Sequence, residues 1–441
     1  MFSRKDLIKL IIPLIIEQIL AVTVGMVDSI MVANVGEAAV SGVSLVDSIN
    51  QLLIGLFSAL ATGGAVVSAQ LLGQKSEKAA CKAGEQLIAA ILSLSILLMT
   101  IAFLFGNSAL NLLYGNVDAD VMTNARTYLF YSAMSFPCIA VYNACAALFR
   151  TMGNSKVSMI ISLIMNIIHV IINATLIFGF GLGVRGAAIS TLISRTFAAV
   201  TLFLLLRNRK HPIHIGSLRN FHIDFLMIQK ILRIGVPNGL ENSVFQIGKI
   251  LVQGIVAGLG TSAITANAIA FTFGNFGTLP GVAIGLALIT VVGRCMGACD
   301  YEGVKKYTHK LLKYSYLFMT LMNVLIALSL PVFLKLYHLS GDTAHIATQL
   351  IIYHCFLSSL IWPASFVLPN ALRATNDVKF TMWISMFSMW FWRIAFSYFL
   401  AIILHMGVLG IWIAMTIDWA FRSVCFVIRF KKERYKKLSY I

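Results

Sequence analysis

The chain has 441 residues, of which 59% are hydrophobic and 12% charged. Soluble globular proteins carry about 25% charged residues, so this composition excludes an ordinary soluble domain. The net charge of +17 could suggest nucleic-acid binding, but the basic residues stand in short runs between long apolar stretches, which excludes that function too.

Long apolar runs follow one another from end to end. A helix needs about 20 apolar residues to cross the hydrocarbon core of a bilayer. Strands of a membrane barrel would instead give short alternating segments. The runs lie at 9–33, 46–72, 86–106, 127–149, 157–180, 187–206, 232–259, 263–293, 309–334, 347–371, 379–403 and 408–428. They predict twelve transmembrane helices.

Lys and Arg are concentrated on one side of the predicted bundle. That side holds the N-terminus, the basic segment 207–233, every second loop and the C-terminal tail, whereas the other side holds only Arg126, Arg185 and Lys335. Basic loops remain in the cytoplasm. We therefore expect a multi-pass protein of the cell (plasma) membrane with both termini cytoplasmic and its tail against anionic lipid headgroups.

The two halves of the chain match each other at a nearly constant offset. The matched pairs are Pro13 with Pro237, Glu17 with Glu241, Gly36 with Gly260, Arg150 with Arg373, Gly183 with Gly407 and Gly186 with Gly410. Each half has six helices, an even number, so both halves share one topology. Such parallel repeats are related by an axis along the membrane normal and can rock about a central site.

The predicted fold is therefore an all-α polytopic membrane protein, with two parallel six-helix lobes around a central cavity. The expected segments are an N-terminal lobe at 1–206, a cytoplasmic linker at 207–230, a C-terminal lobe at 231–428 and a basic tail at 429–441. Glycines at close-packing spacing, Gly254 with Gly258 and Gly281 with Gly285, favour tightly packed helices.

Four short stretches resemble the multidrug and toxic compound extrusion (MATE) family, bacterial type. They are GMVDSIMV at 25–32, FRTMGN at 149–154, GAAIST at 186–191 and GVPNGLEN at 235–242. The resemblance implies an antiporter that exports small organic, often cationic, compounds in exchange for Na⁺ or H⁺. It implies no cofactor besides that coupling ion. We further expect a monomer with membrane lipid around it and no nucleic-acid partner.

Asp28 is the first candidate for coupling. A charge within a span costs about 2.5–3.5 kcal/mol on insertion scales, so an intramembrane acid indicates function by default. Asp28 also matches the family's helix-1 acid, which takes part in cation coupling. The alternative is an ordinary helix-end Asp near the outer surface.

Three further positions follow from the resemblance. The family's fifth helix carries an Asn and, four residues later, an acid before an Ile-Phe-Gly end; here those positions are His169 and Asn173, ahead of 177–179. Thr191 matches a helix-6 hydroxyl of the same site. Na⁺ prefers hard oxygen ligands, whereas His titrates near neutrality. These departures favour H⁺ coupling at Asp28 with His169 beside it, although His169 could also be a core histidine.

Glu17 and Glu241 each follow a Pro by four residues. Because Pro bends a helix, each carboxylate lies one turn beyond a bend. They are candidates for cation or proton coupling, or else packing groups bonded to backbone near the Pro. The residues expected to line a substrate cavity are Asn238, Asn242, Asn267, Phe273 and Trp362.

Other charges within the spans are expected to be structural. Asp418 and Arg422, four residues apart, are predicted to pair, and Arg195 is expected near a helix end or paired within its lobe. Lys249 lies mid-helix opposite Gly25 in the repeat. It could shape the charge preference for substrates, or be paired.

Two other functions are found among multi-pass membrane proteins. A lipid-linked oligosaccharide or polysaccharide flippase of the same superfamily would tend to have more helices and a cavity rich in Arg and Lys. A membrane transferase would need paired acids for Mg²⁺ or a His–acid arrangement. The sequence has no DxxxD run, no convincing metal ligands and no Walker A motif, so we expect neither an enzyme nor a metal site.

Overall fold

The computed structural model describes residues 2–115, 117–216, 221–336 and 341–437. Throughout those ranges the chain forms helices joined by short loops, without a strand. The first six spans are α1 (Arg4–Ala33), α2 (Glu37–Gly73), α3 (Glu77–Tyr114), α4 (the bent pair Ala119–Met134 and Phe136–Thr151), α5 (Ser155–Gly179) and α6 (Gly183–Leu206). The second six are α7 (Phe225–Ala257), α8 (Thr261–Gly297), α9 (Tyr301–Leu336), α10 (Gly341–Ala374), α11 (Val378–Ile403) and α12 (Gly407–Lys431).

Ten of these described helices are long and apolar enough to cross a membrane singly, and the bent α4 makes eleven. The twelfth, α7, is equally long, but polar side chains along it lower its mean hydropathy. The predicted all-α, twelve-helix fold is confirmed.

The repeat is visible in backbone details. Two π-helical turns, Thr175–Gly179 and Phe399–Ile403, close α5 and α11 and lie at equivalent positions of the two halves. Each is followed by a glycine with positive φ, Gly183 at 53° and Gly407 at 60°, where a Cβ would be disfavoured. The same irregular geometry at matched positions confirms the duplicated six-helix unit.

The chain divides into two compact units, Phe2–Gly239 and Leu240–Ile441. The division falls inside α7. This helix begins at Phe225, within the predicted linker 207–230, because Asp224 caps it by accepting from the amide of Met227 at 3.0 Å. At the other end, α12 continues to Lys431, past the expected lobe end at 428.

The segment before α7 is held on the start of α3. The amide of Gly216 donates to Glu85 Oε1 at 2.9 Å, and the amide of Asp224 donates to Gln86 Oε1 at 3.0 Å. Lys82 Nζ lies 2.5 Å from Asp224 Oδ2, and this hydrogen bond lowers the pKa of the Asp224 carboxyl. Gly216 and Asp224 are therefore both anchored to α3 of the N-terminal unit.

Gly186 and Gly410, repeat partners, allow α6 and α12 to pass close to the preceding π turns. A Cβ at Gly410 would lie 2.9 Å from the carbonyl carbon of Leu400, and one at Gly186 would lie 3.0 Å from Leu176 Cβ. Leu176 and Leu400 are themselves repeat partners. Both contacts are tighter than a side-chain carbon normally makes.

We expect Gly410→Ala to lower the free energy of unfolding by about 1–3 kcal/mol, since the new methyl group overlaps backbone that must shift. The measurement is the thermal unfolding midpoint of the purified protein in detergent. Gly254→Ala is the matched control, because a Cβ there meets nothing within 4 Å. Equal midpoints for the two variants would contradict the prediction.

Candidate functional site

A polar cavity of about 210 Å³ lies within the N-terminal unit. We call it the Asp28 cavity. Its lining comes from α1, α2, α4, α5 and α6 and consists of Val24, Gly25, Asp28, Ser29, Asp47, Asn50, Gln51, Ile54, Tyr128, Met165, Asn166, His169, Thr191, Ser194 and Arg195. A pocket with two carboxylates, an imidazole and a guanidinium inside a membrane helix bundle is expected to be functional.

Asp28 lies at the junction of α1 and α5, which pack along each other. The Asn173 amide donates to Asp28 Oδ1 at 2.6 Å, and His169 Nε2 lies 3.3 Å from the same oxygen. The Asp28 side chain is 19% exposed and that of His169 10%. The structure thus brings together three residues that the resemblance had placed in one site.

The His169 ring is held on its other side by α6. Ser190 Oγ lies 3.3 Å from His169 Nδ1 and 2.8 Å from the carbonyl oxygen of Ala187. Thr191, the next residue, lines the cavity and donates to the same carbonyl at 3.0 Å. His169 is therefore a cavity residue with polar partners at both nitrogens.

A second carboxylate in the cavity was missed by sequence reasoning. Asp47 on α2 accepts from Asn50 Nδ2 at 3.5 Å and hydrogen-bonds to the Tyr128 hydroxyl. Arg195 on α6 interacts electrostatically with both Asp47 and Asp28 and donates to Ser135 Oγ at 2.8 Å. The only sequence signal for a role of Asp47 is that it is an acid within the apolar run 46–72.

Glu17 and Glu241 occupy equivalent ion pairs in the two units. Glu17 Oε1 lies 3.5 Å from Arg150 Nη1, and Glu241 Oε1 lies 2.8 Å from Arg373 Nη2. Arg422 Nη2 lies 3.7 Å from the same Glu241 oxygen. Both carboxylates are buried, 7% and 5% exposed. The partners in these contacts are side chains of other helices, whereas the packing alternative expected backbone groups near the Pro.

Asp418 and Arg422 interact electrostatically, as expected, but the closest charged partner of each lies on another helix. Asp418 accepts from Arg393 Nε at 3.1 Å and from Ser388 on α11, while Arg422 faces Glu241. The interaction predicted from their spacing is therefore present, but spacing along one helix does not reveal the closer partners that packing brings from neighbouring helices.

Most residues predicted to line a substrate cavity are buried between helices of one unit. Asn267 is fully buried and accepts from Trp412 Nε1 at 2.9 Å. Phe273 packs on Phe333, with ring centroids 5.1 Å apart. Asn238 is 5% exposed and Asn242 partly buried.

Trp362 stacks on Phe366 at 4.8 Å and lies directly over Gly281, which therefore packs closely as predicted. Gly285 likewise meets the side chain of Asn370, whereas Gly254 has no neighbour within 4 Å of its Cβ position. This packing does not support a substrate-lining role for the buried residues.

Comparison with known proteins supports one assignment. The family profile described as MatE matches residues 13–175 and 237–399. The two segments begin and end at equivalent positions of the repeat. Together they cover well over half of the chain.

Relatives match along nearly their full length. The "Uncharacterized transporter YisQ" of Bacillus subtilis is 27% identical over 429 residues, which is 96% of this chain and 92% of that protein. The "Probable multidrug resistance protein NorM" of Thermotoga maritima is 25% identical, covering 98% and 93%.

Solved structures share the fold. "Crystal structure of MATE in the straight conformation" superimposes with a TM-score of 0.90 at 19% identity, covering 98% of this chain and 97% of the other. "Outward-facing conformation of a multidrug resistance MATE family transporter of the MOP superfamily" gives 0.89 at 19%, covering 98% and 96%.

Proposed function

Because this chain belongs to the MatE family, we propose that it exports small organic, often cationic, compounds in exchange for protons carried by Asp28. The family and the fold are those of a multi-pass membrane transporter. Beyond this family and fold, we propose the coupling ion, the substrates, a plasma-membrane location, a monomeric state and cytoplasmic termini. The contacts of His169 are the reason for proposing H⁺, and not Na⁺, as the coupling ion.

The Ser190 hydroxyl has one hydrogen and two acceptors within reach, His169 Nδ1 and the carbonyl of Ala187. When it donates to Nδ1, the other ring nitrogen carries its hydrogen and donates to ionised Asp28. The Ser190 hydroxyl, both ring nitrogens of His169 and Asp28 Oδ1 then each have a partner.

When the Ser190 hydroxyl rotates to the carbonyl, Nδ1 carries a hydrogen and donates to Ser190. The contact between Nε2 and Asp28 Oδ1 then needs one further proton, shared between the two groups. Rotation of one hydroxyl therefore lets the pair gain a proton without leaving a buried group unsatisfied, which supports a proton-exchanging role.

The same residues are less suited to Na⁺. Hard cations are bound by oxygens, but Asn173 turns its N–H group to Asp28 and His169 offers nitrogen. Two of the groups nearest the carboxylate are thus not oxygen ligands.

Proton binding can drive transport because it changes the charge of the Asp28 cavity. Asp28 and Asp47 both line it, and Arg195 interacts electrostatically with both carboxylates. A proton that neutralises Asp28 removes part of the repulsion between the two carboxylates. Any conformation that binds this proton more tightly is then favoured, which is the thermodynamic requirement for exchange.

The flippase alternative has weaker support. Its cavity would offer free cations to phosphate groups. In the C-terminal unit, Arg373, Arg393 and Arg422 are each engaged by Glu241 or Asp418, so Lys249 is the one exposed cation of this described group, fewer than a cavity rich in Arg and Lys would offer.

The test is efflux of the fluorescent organic cation ethidium from proteoliposomes under separately imposed gradients. We expect a pH gradient to drive efflux by the wild-type protein and a Na⁺ gradient of equal size to have no effect. Protein-free liposomes are the control. Efflux that follows the Na⁺ gradient and ignores the pH gradient would overturn the proposal.

A further inference from the structure

Lys249 is a cation without a carboxylate partner in the C-terminal unit. Its side chain is exposed, and none of the ion pairs within 4.0 Å in the described ranges includes it. Its ammonium lies 5.4 Å from the centre of the Phe245 ring. A cation–π contact alone is a modest compensation for a charge within a span.

The side chain is directed into the span. Lys249 precedes the end of α7 at Ala257 by eight residues, about 12 Å along the axis. Phe245, over which the ammonium lies, is one turn further from that end. The lysine therefore points away from the nearest helix end, and it does not reach toward headgroups there as lysines near span ends do.

Lys249 belongs to a polar stripe on α7. Four polar residues with spacings of four, three and four define the stripe: Asn242, Gln246, Lys249 and Gln253. Residues at this spacing share one face of a helix. The flank beyond it is apolar and exposed, with Leu240, Ile247 and Leu251. A membrane helix with separate polar and apolar exposed faces turns the polar face toward water or a ligand.

The surroundings of Lys249 are positive. The guanidiniums of Arg393 and Arg422 lie 5.5 and 5.6 Å from the centre of the same Phe245 ring. With Arg373, the group has four cations and only two carboxylates, Glu241 and Asp418. An anion would therefore be attracted to the one member that is exposed and unpaired.

The repeat adds an independent indication. The partner of Lys249 is Gly25, which lines the Asp28 cavity of the N-terminal unit. The partner of Asp28 is Val252. Neither charge has a charged partner in the other unit, so within three positions of the repeat the N-terminal unit carries an acid and the C-terminal unit a base.

We infer that Lys249 binds an anionic group, a carboxylate or phosphate, of the exported compound, so that zwitterionic or anionic aromatic amphipaths are substrates as well as organic cations. The inference rests on the proposed export function and extends it to the substrate's charge. Phe245 and Phe366, in edge-to-face contact at 5.8 Å, give the site an aromatic wall.

The test is equilibrium binding of two xanthene dyes to the purified protein in phosphatidylcholine nanodiscs, measured by fluorescence polarisation. One dye has a free benzoate and the other is its methyl ester, so they differ by one negative charge. We expect the wild-type protein to bind the free acid about fivefold more tightly than the ester, the ratio typical of one partly exposed ion pair.

Lys249→Met should abolish this preference, whereas Lys249→Arg should keep it. Lys306→Met, which removes an exposed lysine from the start of α9, is the control for net charge and should also keep it. A preference that survives Lys249→Met, or that Lys306→Met removes equally, overturns the inference, as does a wild-type protein that prefers the ester or binds neither dye.

Anionic phosphatidylglycerol in the nanodiscs distinguishes a solute from a lipid headgroup. A solute site keeps its preference for the free acid, while a headgroup site loses it as lipid phosphate occupies Lys249, which would overturn the inference. No ion gradient is present, so this result is independent of whether export is coupled to protons.

Discussion

Asp28→Asn is expected to reduce proton-driven export strongly while leaving the fold intact. Asparagine has nearly the same shape, and its carbonyl can still accept from Asn173, but its amide cannot bind a proton. Without a proton to exchange at this position, a pH gradient has no differential effect on the conformations of the protein. The rate of pH-driven ethidium efflux should fall by about 5- to 150-fold, the range that typical coupling free energies span.

The measurement is the initial efflux rate in proteoliposomes at matched protein content. Asp120→Asn is the matched control, because Asp120 is an exposed acid in the first turn of α4, outside the Asp28 cavity. Thermal midpoints of both variants should equal that of the wild-type protein. Full pH-driven efflux by Asp28→Asn would rule out Asp28 as the proton carrier.

Glu241→Gln is expected to lower the free energy of unfolding by about 3–5 kcal/mol, because it removes a carboxylate that faces two buried guanidiniums. Arg373 and Arg422 both face Glu241 Oε1, and their side chains are 10% and 3% exposed. Ser385 donates to the same oxygen at 2.7 Å. The thermal midpoint in detergent measures the loss.

Glu302→Gln provides the control, since Glu302 is exposed in the first turn of α9 and surface changes usually stay within about 0.5 kcal/mol. Glu17→Gln should cost less than Glu241→Gln, because Glu17 has one guanidinium partner at the longer distance of 3.5 Å. An unchanged midpoint together with lost proton coupling would instead make Glu241 a coupling group.

The fold was predictable because two signals act over long stretches of sequence. Apolar runs mark spans whatever their neighbours are, and the offset between halves specifies two units of one topology. The exact ends of helices depend on local hydrogen bonds. Asp224 caps α7 within what composition alone marks as linker, and no apolar pattern contains that information.

The site was predictable only in part. Asp28, His169 and Asn173 were placed together by their match to a family pattern. Asp47 and Arg195 come from α2 and α6, and only tertiary packing brings them to the same cavity. The spacing of Asp418 and Arg422 predicts the interaction between them, but it does not predict Arg393 and Glu241, the closer partners that packing brings to them.

Whether an aromatic or amide residue lies in the core, against lipid or in a cavity was the hardest feature to predict from the sequence. The chain is 11% aromatic, and such residues serve equally in cores, against lipid and in cavities. Trp362 and Asn267 are core residues because of Gly281 and Trp412, which pack against them from distant parts of the sequence.

The matched ion pairs of Glu17 and Glu241 have an evolutionary consequence. A carboxylate and an arginine kept in both halves are best explained by a gene duplication in which an ancestral six-helix subunit already contained the pair. Fusion then freed the two copies to diverge at positions that assembly did not need. Polar residues that match between the halves, such as these ion pairs, are therefore expected to predate the duplication, whereas Asp28 and Lys249 have no charged counterpart in the other half.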